Sequence, residues 1–276
     1  MASDTPCESL AELLEVRETK GGRFAATLGD FWGDPMDSDA IARAALAGAR
    51  SQPELELLSF QGHVTPGLSL ASPLELRVEA IEPGVGVARQ RIELWQDGPR
   101  GAFDACLAIR GAGPTHQDVL PPDLPGPDDL PSTVECARAE GWPEEYARGP
   151  LEFRRIGSLL RDSAKGDDLA HQCWLLPRAP LPDDAPLQTA ALVFAAHFYP
   201  HWEFERRLGP KFAHGRFQPL ERSLHLHGRV AWDDWWLLDA RAEIARDGRA
   251  LSTRRLFDHS GRLLATATSH ALVALL

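Results

Sequence analysis

The longest stretch with neither a charge nor a clean polar face runs from Leu187 to Phe198, LQTAALVFAAHF. Being apolar all round and far shorter than the roughly 20 residues a bilayer span requires, it predicts a helix buried inside a soluble fold. Pro182, Asp183, Asp184 and Pro186 precede it, the residue types a helix N-terminus accepts, and Pro200 ends or kinks it. The polar residue that stands out is His197, near its end. A second, alanine-rich helix is predicted over Ala40–Arg50, with Asp37, Ser38 or Asp39 as its cap and Pro53 beyond it.

Most of the remaining pattern has the two-residue alternation of strands. Arg23–Trp32, Glu54–His63 and Leu74–Glu82 read as strands, and Gly84–Trp95 with Ala102–Arg110 as a hairpin turning at Gln96–Gly101. Ser9–Thr19 carries Leu10, Leu13, Leu14 and Val16 at helical spacing, with a break at Gly21-Gly22. Further on, Glu152–Leu160, His171–Pro177 and Trp236–Ile244 predict strands.

Between Gly111 and Pro150 prolines alternate with Asp118, Asp123, Asp128 and Asp129, so this stretch reads as a semi-rigid surface connector, not a sheet interior. The segments on either side of it resemble one another. Gly86–Ile109 and Gly248–Leu272 share a glycine turn, an alternating strand ending in an aromatic, a polar turn and a strand of small residues. Each is preceded by a matching strand and, further upstream, by an alanine-rich helix. This order recurs at a separation of about 150–160 residues, as expected for one duplicated unit. Two such units would associate about a pseudo-twofold axis.

Composition narrows the function without naming it. The 276 residues suffice for two domains, and 25% charged with 43% hydrophobic content is ordinary for a globular chain. A net charge of -11 argues against nucleic acid or an anionic membrane as partner. Cys7, Cys106, Cys136 and Cys173 lack any CxxC spacing, as in reduced cytoplasmic thiols. The acidic N-terminus does not read as an export signal, so a cytoplasmic location is expected.

The chain resembles the tandem, double hot-dog acyl-CoA thioesterases of the thioesterase II type over nearly its whole length. The residues that carry the likeness are SLAELLEVRETKGGRFAA at the start and, near the end, WWLLD followed by FDHSGRLLATATS. The resemblance implies an α+β double hot-dog, two antiparallel sheets each wrapping a central helix. It would divide the chain into an N-terminal hot-dog (1–111), a linker (112–149) and a C-terminal hot-dog (150–276). It implies hydrolysis of an acyl thioester to free acid and coenzyme A by activated water. No cofactor or metal is implied, coenzyme A being part of the substrate, and exposed sheet edges leave homo-oligomerisation open.

In that family an aspartate at the end of the second helix, a hydroxyl opening the next strand and a glutamine on the last strand position the water. The resemblance places these roles on His197, Ser223 and Ser269, with His225, His270 and Trp202 as substrate contacts. A neutral histidine can accept a proton from water as a carboxylate can. Three further readings stand beside this one: a degenerate hot-dog protein that binds an acyl or aromatic ligand, a hydratase, and a metal site at His197, Ser223 and His225. The family's paired glycines at the first helix correspond to Asp37 and Ser38.

Overall fold

The computed structural model describes residues 9–30, 35–109, 111, 116, 124–141, 149–156, 170–198, 203–204 and 216–274. In the first half, α1 (Leu10–Leu13), β1 (Arg17–Glu18) and β2 (Arg23–Ala26) lead to α2 (Asp37–Arg50). β3 (Glu56–Val64), β4 (Leu74–Pro83), β5 (Val87–Trp95) and β6 (Pro99–Ala108) follow. A 3-10 turn (Pro127–Asp129) and α3 (Thr133–Glu140) lie between the halves. The second half contains β7 (Leu151–Ile156), β8 (Ala170–Pro177), α4 (Ala185–His197), β9 (Arg216–Leu226), β10 (Trp236–Arg246), β11 (Arg249–Phe257) and β12 (Leu263–Ala274).

The strands form one sheet in the order β1-β2-β4-β5-β6-β3-β9-β12-β11-β10-β8-β7. Read outward from its centre, each half repeats the other, with β3 facing β9, β6 matching β12 and β5 matching β11. The two expected sheets are therefore one continuous sheet, because β3 and β9 pair antiparallel through Ser59–His225, Phe60–Leu224, Gln61–Ser223 and Gly62–Arg222. The pairing irregularities also repeat, between Leu94 and Trp95 as between Leu256 and Phe257, so the copies superpose with Phe60 on Arg222 and Gln90 on Ser252. Arg254, two residues beyond Ser252, corresponds to Ile92.

The sheet wraps both long helices. Ala190 through Ala196 on α4 are all at most 1% exposed, which accounts for the missing polar face: α2, β11 and β12 all pack against it. The helices lie antiparallel. Arg50 at the end of α2 meets the α4 cap Asp184 at 3.2 Å, while Asp37 at the start of α2 lies at the His197 end of α4, facing Arg222. Asp184 caps α4 by accepting the Leu187 amide at 3.1 Å. No helix among the described residues is long and apolar enough to cross a membrane.

Two expectations change. Helix α1 is only one turn, since Arg17 and Glu18 pair with Ala25 and Phe24 instead of continuing it. The connector is more than a surface spacer. Trp174 Nε1 donates to the Pro125 carbonyl at 2.9 Å, and Leu124 and Leu130 pack with Trp174, Leu237 and Phe257 on the outer face of the second half. Helix α3 starts on a capping box made by Ser132 and Glu135, and its Thr133 hydroxyl donates to Phe153 O and accepts from Phe153 N, both at 3.0 Å.

The central junction leaves no room at Gly62, where a Cβ would meet the Ala102 carbonyl oxygen and lie 2.7 Å from Phe103 Cα. Both are backbone atoms of the adjoining strand, which yields only by separating β3 from β6. Gly62→Ala is expected to lower stability by about 1–3 kcal/mol, measured as a fall in the urea midpoint at constant m. An unchanged midpoint would mean that the junction is looser than these contacts imply.

Candidate active site

His197 occupies the last turn of α4, and its side chain is enclosed, the residue being 2% exposed. Its surroundings come from the inward face of the second half of the sheet. Arg222 on β9 pairs with Ser269 on β12, which pairs with Ser252 on β11. Directly paired residues share a face, so these three side chains project toward the helices together. Arg254, two positions after Ser252, projects the same way.

Arg254 ties the end of α4 in place. Its Nη1 donates to the carbonyls of Ala196 at 2.8 Å and Phe198 at 3.2 Å, on either side of His197. Its Nη2 donates to both carboxylate oxygens of Glu203, at 3.0 and 3.1 Å. The helix C-terminus thereby receives a cation where its dipole favours one. In the first half Gln90, the counterpart of Ser252, performs a neutral version of this task, donating at 2.7 Å to Ser51 Oγ, which in turn donates to the Gly48 carbonyl at the end of α2.

Arg222 is held less completely. Its Nη2 lies 3.9 Å from Asp37 Oδ2, and its Nη1 is buried without a hydrogen-bond partner. Both ring nitrogens of His197, and the hydroxyls of Ser38 and Ser252, are likewise buried and without partners. The sites around them are correspondingly perturbed. Burial, followed by the charges of Arg222 and Arg254, holds the His197 pKa well below its ordinary 6.5. Burial raises Asp37, against the pull of Arg222, and lowers Arg222 to about 10. The site therefore presents a neutral imidazole beside a buried guanidinium. Such an imidazole can accept a proton from a bound water, and the guanidinium can donate to an oxygen carrying negative charge.

Of the residues the sequence suggested, His197 and Ser269 lie on the inner side. Ser223, His225 and His270 do not join them. Ser223 pairs with Thr268, and their hydroxyls are 2.7 Å apart; this is the face opposite to that of Arg222 and Ser269. His225 is exposed on that same outer face, and His270, two residues after Thr268, shares it. Trp202 lies outside the described residues. Arg222, Arg254 and Glu203 escaped sequence reasoning, although one signal was present: Arg222 has the parity of Leu224 and Leu226, the apolar and hence inward side of the strand. Among the described residues, no group of three histidine, cysteine or carboxylate side chains has metal-site geometry.

The other end of the helix pair differs. There a cavity of about 200 Å³ is lined in part by Ala49, Leu57, Pro186, Thr189, Leu226 and Val230.

The family model described as acyl-CoA thioesterase C-terminal domain matches residues 121–273. No curated protein sequence matches the chain. Among solved structures, it is similar to an acyl-CoA thioesterase II, TesB2, from Mycobacterium marinum. The identity is 21% and the TM-score 0.80, covering 97% of this chain and 99% of that one. A tesB protein of Mycobacterium avium subspecies paratuberculosis is 19% identical with a TM-score of 0.79, covering 96% and 98%. A hot-dog protein from Alicyclobacillus acidocaldarius is 19% identical with a TM-score of 0.77, covering 96% and 97%. At these identities the likeness establishes the fold, a double hot-dog.

Proposed function

Since the chain belongs to the acyl-CoA thioesterase II-like family, we propose that it hydrolyses an acyl-CoA thioester to the free acid and coenzyme A at the His197 site. The observation that carries this reading is a buried neutral imidazole, neither of whose nitrogens has a hydrogen-bond partner, at the position that the resemblance gives to the family's aspartate. One His197 nitrogen accepts a proton from water as the water oxygen attacks the thioester carbonyl carbon. Collapse of the tetrahedral species breaks the carbon–sulfur bond, and the imidazolium returns its proton to the departing thiolate. The Ser269 hydroxyl, on the same inner face, orients the water. Ser223, bonded to Thr268, acts by fixing the pairing of β9 and β12.

Free thiol should be released from at least one acyl-CoA in a panel of short-chain, long-chain and aromatic substrates. If micromolar protein releases no thiol from any of them above the spontaneous rate, hydrolysis is excluded and ligand binding without turnover takes its place.

A further inference from the structure

The two buried arginines near the end of α4 are unequally matched by carboxylates. Glu203 is already engaged by two hydrogen bonds from Arg254, and Asp37 meets Arg222 only at 3.9 Å. Arg222 is 3% exposed with Nη1 unpartnered, and the Ser38 and Ser252 hydroxyls are also enclosed without partners. An enclosed guanidinium nitrogen with nothing to donate to is destabilising, and an oxygen anion supplied by a ligand would remove that cost. Arg222 shares the inward face of the sheet with Ser269, Ser252 and Arg254, and Arg254 bonds the carbonyls on either side of His197, so Arg222 faces the same end of α4 as the imidazole.

We infer that Arg222 is an oxyanion- and carboxylate-binding residue, whose Nη1 donates to the thioester oxygen as it becomes negative and afterwards to the carboxylate of the free acid. The first half of this role rests on the thioester-cleavage reading; the second does not. A planar guanidinium fixed by burial is suited to either, because it is aimed before the charge develops and is little hydrated. Arg222 has no counterpart among the family's aspartate, hydroxyl and glutamine. It supplies the donor that Ser269, shorter than glutamine and without its amide, cannot provide. Asp37, 3.9 Å away, partly neutralises the residue.

The test uses the full chain and two variants, Arg222→Met and Arg222→Lys. With whichever acyl-CoA is turned over, Arg222→Met should lower kcat by about 10²–10³, with KM changed less than threefold, as for loss of an oxyanion donor. Arg222→Lys should recover at least part of the loss, because it restores a cation. Independently of turnover, calorimetric titration with butyrate, octanoate and phenylacetate should show binding to the unmodified protein that weakens at least tenfold in Arg222→Met. Thermal melts of all three proteins establish that each is folded. Unchanged kcat together with unchanged carboxylate affinity in folded Arg222→Met would overturn the assignment. So would a rise in KM alone, which would make Arg222 a contact for some other part of the substrate. Should the unmodified protein release no thiol yet lose carboxylate binding in Arg222→Met, the anion site stands and the hydrolytic reading falls.

Discussion

His197→Ala is expected to lower kcat for thiol release by about 10²–10⁴, the range for removal of a positioned general base. The alternative for this residue is a purely structural role, and pH separates the two. Burial and two neighbouring arginines hold the imidazole pKa well below 6.5, so the group remains a neutral base through mildly acidic pH. The profile of kcat/KM should therefore stay level as pH falls past 6.5 and drop only as it passes through the lowered value. A fall centred on 6.5 in the unmodified protein, or less than threefold loss on substitution, would move the chemistry to another residue.

The same shift has a consequence for stability. An unfolded histidine titrates near its ordinary pKa of about 6.5. Between that value and the folded one, the unfolded chain holds the extra proton. His197 therefore leaves stability unchanged above about pH 6.5 and makes it decline as pH falls from there through the folded value. His197→Ala should remove this component of the acid dependence while leaving the rest.

Arg254→Met should produce the larger loss of stability. It strips Glu203 of its two hydrogen bonds inside the fold, where arginine and carboxylate side chains are 2% and 1% exposed, and it releases the Ala196 and Phe198 carbonyls. Breaking one partner from such a buried pair costs about 3–5 kcal/mol. At about 2–4 °C per kcal/mol, this corresponds to a fall in Tm of roughly 6–20 °C. The double variant Glu203→Gln/Arg254→Met, which removes both charges, should regain a substantial part of the loss. Additive losses in the double variant would show that the two side chains do not act as a pair.

Much of the architecture was legible because each long element obeys one period. Residues 187–198 are apolar in every direction and the helix is enclosed in every direction; the strands alternate, and the alternation sets their faces. Helix α3 was hidden by composition, since prolines and aspartates flank eight residues whose start is marked only by Ser132 and Glu135. Helix α1 ended early because Arg17 and Glu18 found strand partners, a long-range pairing that local spacing does not encode. The site was half legible. His197 followed from its place at the end of the buried helix, whereas the family pattern drew attention to Ser223 on β9. The inner residue is its neighbour Arg222, and only the parity of Leu224 betrays that. Arg254 and Glu203 are 51 positions apart, and their meeting depends on the fold as a whole.

The contrast between neutral Gln90 near the end of α2 and charged Arg254 at the end of α4 has an implication for how such a chain can evolve. In a symmetric assembly of two identical copies, any substitution would be installed at both ends of the helix pair at once. Two buried cations would then each require a compensating carboxylate. Because both units here belong to one polypeptide, the first end can keep a neutral amide and a small hollow while the second accumulates Arg222, Arg254, Glu203 and His197. Covalent fusion has thereby allowed one half to specialise while its twin retains the plainer interior.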